Sequence, residues 1–123
     1  MRYDIILIGF GILCLLGGEG LGMWMASHQD FQLAPAHAHA NLVGWVTMSL
    51  YGFAHRAYPT LAATRLALPQ MVLAVASGIT VPFAIAYTIL GGSDVPAIVI
   101  SLLIVLATLM FAIMFFGRAA KAA

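Results

Sequence analysis

The chain has 123 residues, 63% of them hydrophobic and 7% charged, where soluble domains run at roughly half and a quarter. Its net charge of +1, without a basic cluster interleaved with aromatics, carries no footprint for nucleic acid. Such a chain belongs in the lipid bilayer, where only helices or a closed barrel satisfy every backbone polar group, and long apolar runs without period-two alternation select helices.

The first span is predicted at about 4–26. It reads as a membrane helix rather than a secretion signal, because Asp4 is foreign to a basic leader and the apolar run exceeds the usual length of roughly 7–15 residues. Cys14, the single cysteine, excludes an intrachain disulfide and reads as a small buried apolar side chain. In Leu16-Gly-Gly-Glu-Gly-Leu-Gly22, Glu19 is the one carboxylate well inside a span, where an ionisable group is costly. Gly18 and Gly22 form a small-xxx-small pair, a packing seam for a close helix neighbour. Met23 and Met25 flank Trp24 before the first loop, either as thioether ligands for haem iron or copper or as lipid-facing filler beside an interfacial tryptophan.

The second span is predicted at about 36–58, opened by Pro35 in its first turn. The third, about 67–90, contains Pro82, expected to kink it, and Tyr87 near its outer end. Gly91-Gly92-Ser93-Asp94 makes a tight turn before Pro96, and the fourth span, about 95–117, offers only Ser101 and Thr108 and reads as packing. Short connections favour an up-down-up-down bundle. Arg2, Arg56, Arg65, Arg118 and Lys121 all fall on one side, so the positive-inside rule puts both termini in the cytoplasm. His28, His37 and His39 then lie at the outer face and His55 at the inner one.

His37 and His39 are two positions apart, about 200° around a regular helix, so their imidazoles face different neighbours rather than one shared ion. His37, Asn41, Gly44, Met48, Gly52 and His55 recur at spacings of three or four and make one polar and small face. That face is expected to look inward, its glycines admitting a close neighbour or a flat cofactor. His39 shares a more apolar face with Val43, Val46 and Leu50 and needs a partner there. Imidazole is the commonest metal ligand and binds haem iron as well.

The run His39-Ala-Asn-Leu-Val-Gly-Trp45, continuing through Leu50-Tyr-Gly-Phe53 to Tyr58-Pro59, resembles the second helix of haem–copper oxidase subunit I, particularly the nitric oxide reductase branch. It also resembles small four-helix bacterial proteins that share His-Ala-His-x-Asn-Leu-x-Gly-Trp. The resemblance implies that His39 is an axial ligand of haem b near the outer face of the bacterial cytoplasmic membrane. The family's further haem and copper ligands come from later helices, and the last two helices here hold no histidine.

Three functions follow as expectations. The first is a haem b protein for electron transfer or gas handling, an oxidase-like or reductase-like component served by an electron-donor protein or quinol. His39 is its ligand, with His37, Asn41, Gly44 and Tyr87 around the cofactor. The second is an outer-face copper or zinc site built from His28, His37, His39, Met23 and Met25. The third is a non-catalytic scaffold or accessory subunit. A homo-oligomer is expected from the glycine seam and from a bundle too small to surround a large cofactor, since a two-fold interface presents each residue twice.

Overall fold

The computed structural model describes residues 1–119, so Lys121 lies outside the described residues. The described chain is helical, without strands. Helix α1 spans Tyr3–His28 and ends where Gln29 enters the left-handed region at φ 52°, its turn closed by Asp30 N–H donating to the Met25 carbonyl at 3.1 Å. Helix α2 runs continuously over 34–57 in three parts: Ala34–His39, a π-helical stretch Ala40–Thr47, and Met48–Ala57. Tyr58 and Pro59 stop it, and the 3₁₀ turn Pro59–Ala63 leads on. Helix α3 is Ala67–Ile89; helix α4 is Val95–Met114, with a π-helical extension Phe115–Ala119.

Three of these four helices are long and apolar enough to cross a membrane: Tyr3–His28, Ala67–Ile89 and the fourth through Arg118. Helix α2 is the most polar of the four and carries three of the four histidines. Its length at the usual rise of about 1.5 Å per residue is about 36 Å, close to that of its neighbours. The π stretch is visible in Thr47, whose hydroxyl donates to the Leu42 carbonyl five residues back at 2.8 Å. Such turns add a residue to the helix and shift the faces that follow.

In lipid, helices gain little from burying apolar area against each other, so close packing over small residues must hold them together. That is how α1 meets α2. A Cβ on Gly11 would stand 2.9 Å from Ser49 Oγ, one on Gly22 would stand 2.9 Å from the His37 ring, and one on Gly18 would overlap the Asn41 amide. From the other side, a Cβ on Gly52 would meet Ile8 at 2.7 Å. Gly18 and Gly22 are thus spent inside the chain, against α2, rather than offered to a second molecule.

The three-helix crossing is at Gly44. A Cβ there would lie 2.7 Å from Cys14 Cβ on α1 and 3.4 Å from the Gly78 carbonyl on α3. Pro82 explains the carbonyl: it has no N–H to return to residue 78, so this oxygen is left free of the helix ladder and turns to the glycine backbone of α2. Helix α4 packs along α3 and reaches α2 through Tyr51, which donates to Thr108 Oγ1 at 3.0 Å while its ring lies 4.5 Å from Phe111. Leu61, Ala67 and Met114 close the end of the bundle that holds the N-terminus.

Candidate functional site

The start of α2 places His37 and His39 on opposite sides, as a two-residue step on a helix requires. The first loop sets this start: Asp30 accepts the Gln32 N–H at 3.1 Å, and Pro35 occupies the first helical turn. His37 turns into the α1–α2 contact. Its Nδ1–H donates to the Gly18 carbonyl at 2.7 Å, which leaves Nε2 as an acceptor, and the Asn41 amide approaches it at 3.4 Å. Both nitrogens of His37 are therefore engaged by the protein, and glycine at position 22 makes the room for its ring.

His39 is the reverse case. Its Nδ1–H donates to the Pro35 carbonyl at 2.8 Å, one turn back on the same helix. That bond selects the tautomer with an unprotonated Nε2, and the ring stands exposed on the outer side of α2. Below it Leu42, Val46, Leu50 and Phe53 form an exposed apolar stripe. A histidine whose Nδ1–H is tied to a carbonyl while Nε2 faces outward has the arrangement that orients imidazoles toward metal ions.

The remaining candidates are dispersed. His28 donates through Nδ1 to the Trp24 carbonyl at 2.9 Å and stacks on the Trp24 indole at 4.6 Å between centroids. Met23 is 75% exposed and Met25 only 4%, so the two thioethers lie on different sides of α1. Gly44 is filled by the helix crossing, and Tyr87 is exposed near the C-terminal end of α3, over the turn at Gly92. Among the described residues, no three His, Cys, Asp or Glu side chains converge as a metal-holding group.

An apolar cleft of about 480 Å³ opens between α1 and α3, with Leu13, Cys14 and Gly17 on one wall, Pro82 and Phe83 on the other, and Ala36 and Ala40 as its floor. None of the histidines lines it. Pro82 and the small residues Ala36 and Ala40 of α2 border this space.

A second polar group lies in the half of the bundle that holds the N-terminus, and of its members the sequence pattern singles out only His55. Ser49, His55 and Gln70 are all buried, and their side-chain polar atoms have no hydrogen-bond partner among the described residues. Gly44 and Gly78 face each other on antiparallel helices, so Gln70 stands level with Gly52, between Ser49 and His55 in depth. The His55 ring stacks on Tyr3 at 5.1 Å, beside the Arg2–Asp4 ion pair at 2.8 Å. The available sequence signal was Gln70 itself, an amide in the otherwise apolar stretch 66–76.

No family model, curated protein or solved structure matches this chain.

Proposed function

We propose that this chain is a four-span protein of the bacterial cytoplasmic membrane, with both termini inside, that binds haem b through His39 for electron transfer or gas handling. The observation that carries the reading is the state of His39. Its tautomer is held by the Pro35 carbonyl, and Nε2 is free at the head of an exposed apolar stripe. In lipid an imidazole nitrogen left without a partner costs free energy, and a metal bond or a hydrogen-bond donor is what removes that cost.

The orientation is supported by Arg2, Arg56, Arg65 and Arg118, which gather at one end of the helices, opposite the histidines at 28, 37 and 39. Helix α2 is counted as a span because it runs the length of the helices on either side of it.

When bound, the haem supplies one-electron chemistry or a gas-binding iron. The chain's own contributions are separable. Pro35 fixes which nitrogen of His39 is presented. His37, through Gly18 and Asn41, locks the first turns of α2 to α1 and so sets the direction in which His39 points. Leu42, Val46 and Leu50 exclude water beneath the site and keep its surroundings apolar. The π stretch begins at the residue after His39 and keeps that stripe outward while the glycine face stays against α1.

Purified from membranes in mild detergent, the protein is expected to carry a Soret band and to yield the pyridine haemochromogen spectrum of haem b. A colourless protein that also fails to take up added haemin would overturn the reading.

A further inference from the structure

The start of α1 and the last turn of α2 border a hollow of about 190 Å³, lined by Arg2, Tyr3, Asp4, His55, Arg56 and Pro59. It lies at the opposite end of α2 from His39, roughly 24 Å away at about 1.5 Å rise per residue, and takes no part in holding haem. Its groups are mostly hydrogen-bond donors. Arg2 is the N-cap of α1 and makes no side-chain cap bond, and the Ile6 N–H is the first to find a helical partner, donating to the Arg2 carbonyl at 3.2 Å. The N–H groups of Tyr3 and Asp4 are thus left unpaired within the helix, at the positive end of its dipole.

Arg2 holds Asp4 through two bonds, Nε to Oδ1 at 3.0 Å and Nη2 to Oδ2 at 2.8 Å, and Arg56 Nη1 stands 3.7 Å from the same Oδ2. One carboxylate balances one of the two guanidiniums, so the hollow keeps a positive charge. The second, independent feature is His55. It is 6% exposed, and neither ring nitrogen has a partner among the described residues. Whichever nitrogen carries the proton, a neutral imidazole has one N–H to donate. Tyr3 stacks on the ring at 5.1 Å and holds it at the wall of the hollow. A buried donor without a partner costs free energy, which a bound acceptor removes. A metal cation is the wrong occupant, because two guanidiniums repel it and Asp4 is already committed to them.

We infer that this hollow binds a phosphate group, carried by an anionic phospholipid or by a soluble phosphate. Arg2 and Arg56 hold its oxygens at the rim, His55 donates from the wall, and the unpaired N–H groups at the start of α1 add the positive end of the helix. A phosphodiester has one negative charge, which matches the one unbalanced guanidinium. The apolar run of α1 starts at Ile5, so the hollow sits at the headgroup layer, where a lipid phosphate reaches it without leaving its leaflet.

The test uses the full chain, delipidated in dodecyl maltoside and titrated with phosphatidylglycerol, phosphatidylcholine or inorganic phosphate. Bound lipid is counted by native mass spectrometry and bound phosphate by phosphorus magnetic resonance. Wild type is expected to hold one phosphatidylglycerol about tenfold more tightly than phosphatidylcholine. Arg56→Gln, at an exposed side chain, should weaken that lipid about fivefold, the usual effect of one arginine beside an anionic headgroup. His55→Phe keeps a ring against Tyr3 but loses the N–H, and should weaken it about tenfold. Arg65→Gln removes an exposed charge outside the hollow and should leave the affinity unchanged. Inorganic phosphate that binds with the same dependence on positions 55 and 56, and is not displaced by phosphatidylglycerol, upholds the site and makes its ligand a soluble phosphate. Equal affinity for the two lipids without phosphate binding, or a loss in Arg65→Gln as large as in Arg56→Gln, overturns the proposal. If His55→Phe does not fold, Arg56→Gln against Arg65→Gln decides it alone.

Discussion

Alanine at position 44 is the sharpest perturbation of the packing. The added methyl would sit 2.7 Å from Cys14 Cβ, 2.9 Å from Cys14 Sγ and 3.4 Å from the Gly78 carbonyl oxygen. The nearest obstacle is a Cβ, which a rotamer change cannot move, so α1 itself must retreat from α2. It is held there by the matching contacts at Gly11, Gly18 and Gly22. Overpacking of this kind costs roughly 1–3 kcal/mol, and a backbone-anchored obstacle points to the upper half of that range, about 2–3 kcal/mol. The identity of the obstacle makes a second-site test possible. Cys14→Ala retains the Cβ and should restore little, whereas Cys14→Gly removes it and should restore most of the loss, less about 1 kcal/mol for glycine in a helix. Reversible unfolding in mixed micelles titrated with dodecyl sulfate reads the three variants and wild type on one scale. A Gly44→Ala protein within about 0.5 kcal/mol of wild type refutes the reasoning, since that is the scatter of neutral substitutions. So does one that is stable but has lost only its haem, because the glycine would then serve the cofactor.

Three further outcomes are expected. His37→Ala should lower stability by about 1–2 kcal/mol in the same titration, through the lost bond to the Gly18 carbonyl and the emptied space over Gly22. Tyr51→Phe should cost about 0.6–1 kcal/mol, because Thr108 already donates to the Ile104 carbonyl and the tyrosine hydroxyl is the donor that joins α2 to α4. A C-terminal green fluorescent protein fusion should fluoresce and a C-terminal alkaline phosphatase fusion should be inactive; an active phosphatase contradicts the inside placement of the C-terminus.

Hydropathy and turn residues made the four helices legible, because span length and punctuation by Pro35, Pro59, Gly91 and Pro96 are local signals. The third-to-fourth turn, for instance, needs the positive φ of 97° that Gly91 supplies. Which helix a glycine faces is not local. Gly18 and Gly22 read equally well as an oligomer seam, and only the position of Asn41 and His37 opposite them assigns them to the interior. The π stretch after His39 left no mark in the composition, since it arises from how α2 reconciles its contacts with α1 and α3. The division of labour between His37 and His39 was half visible: their spacing separates them, but the Gly18 carbonyl that engages one and the Pro35 carbonyl that orients the other belong to tertiary and backbone geometry. Gln70, Ser49 and His55 come from two helices, so no single motif could announce that they share a depth.

The most direct measurement is the Soret absorbance per protein of the purified His39→Ala and His37→Ala variants beside wild type. The account predicts that His39→Ala loses at least nine-tenths of the bound haem, because the outward Nε2 is gone, whereas His37→Ala keeps most of it with a shifted band. Full haem content in His39→Ala, or its loss in His37→Ala alone, would contradict the assignment of the site.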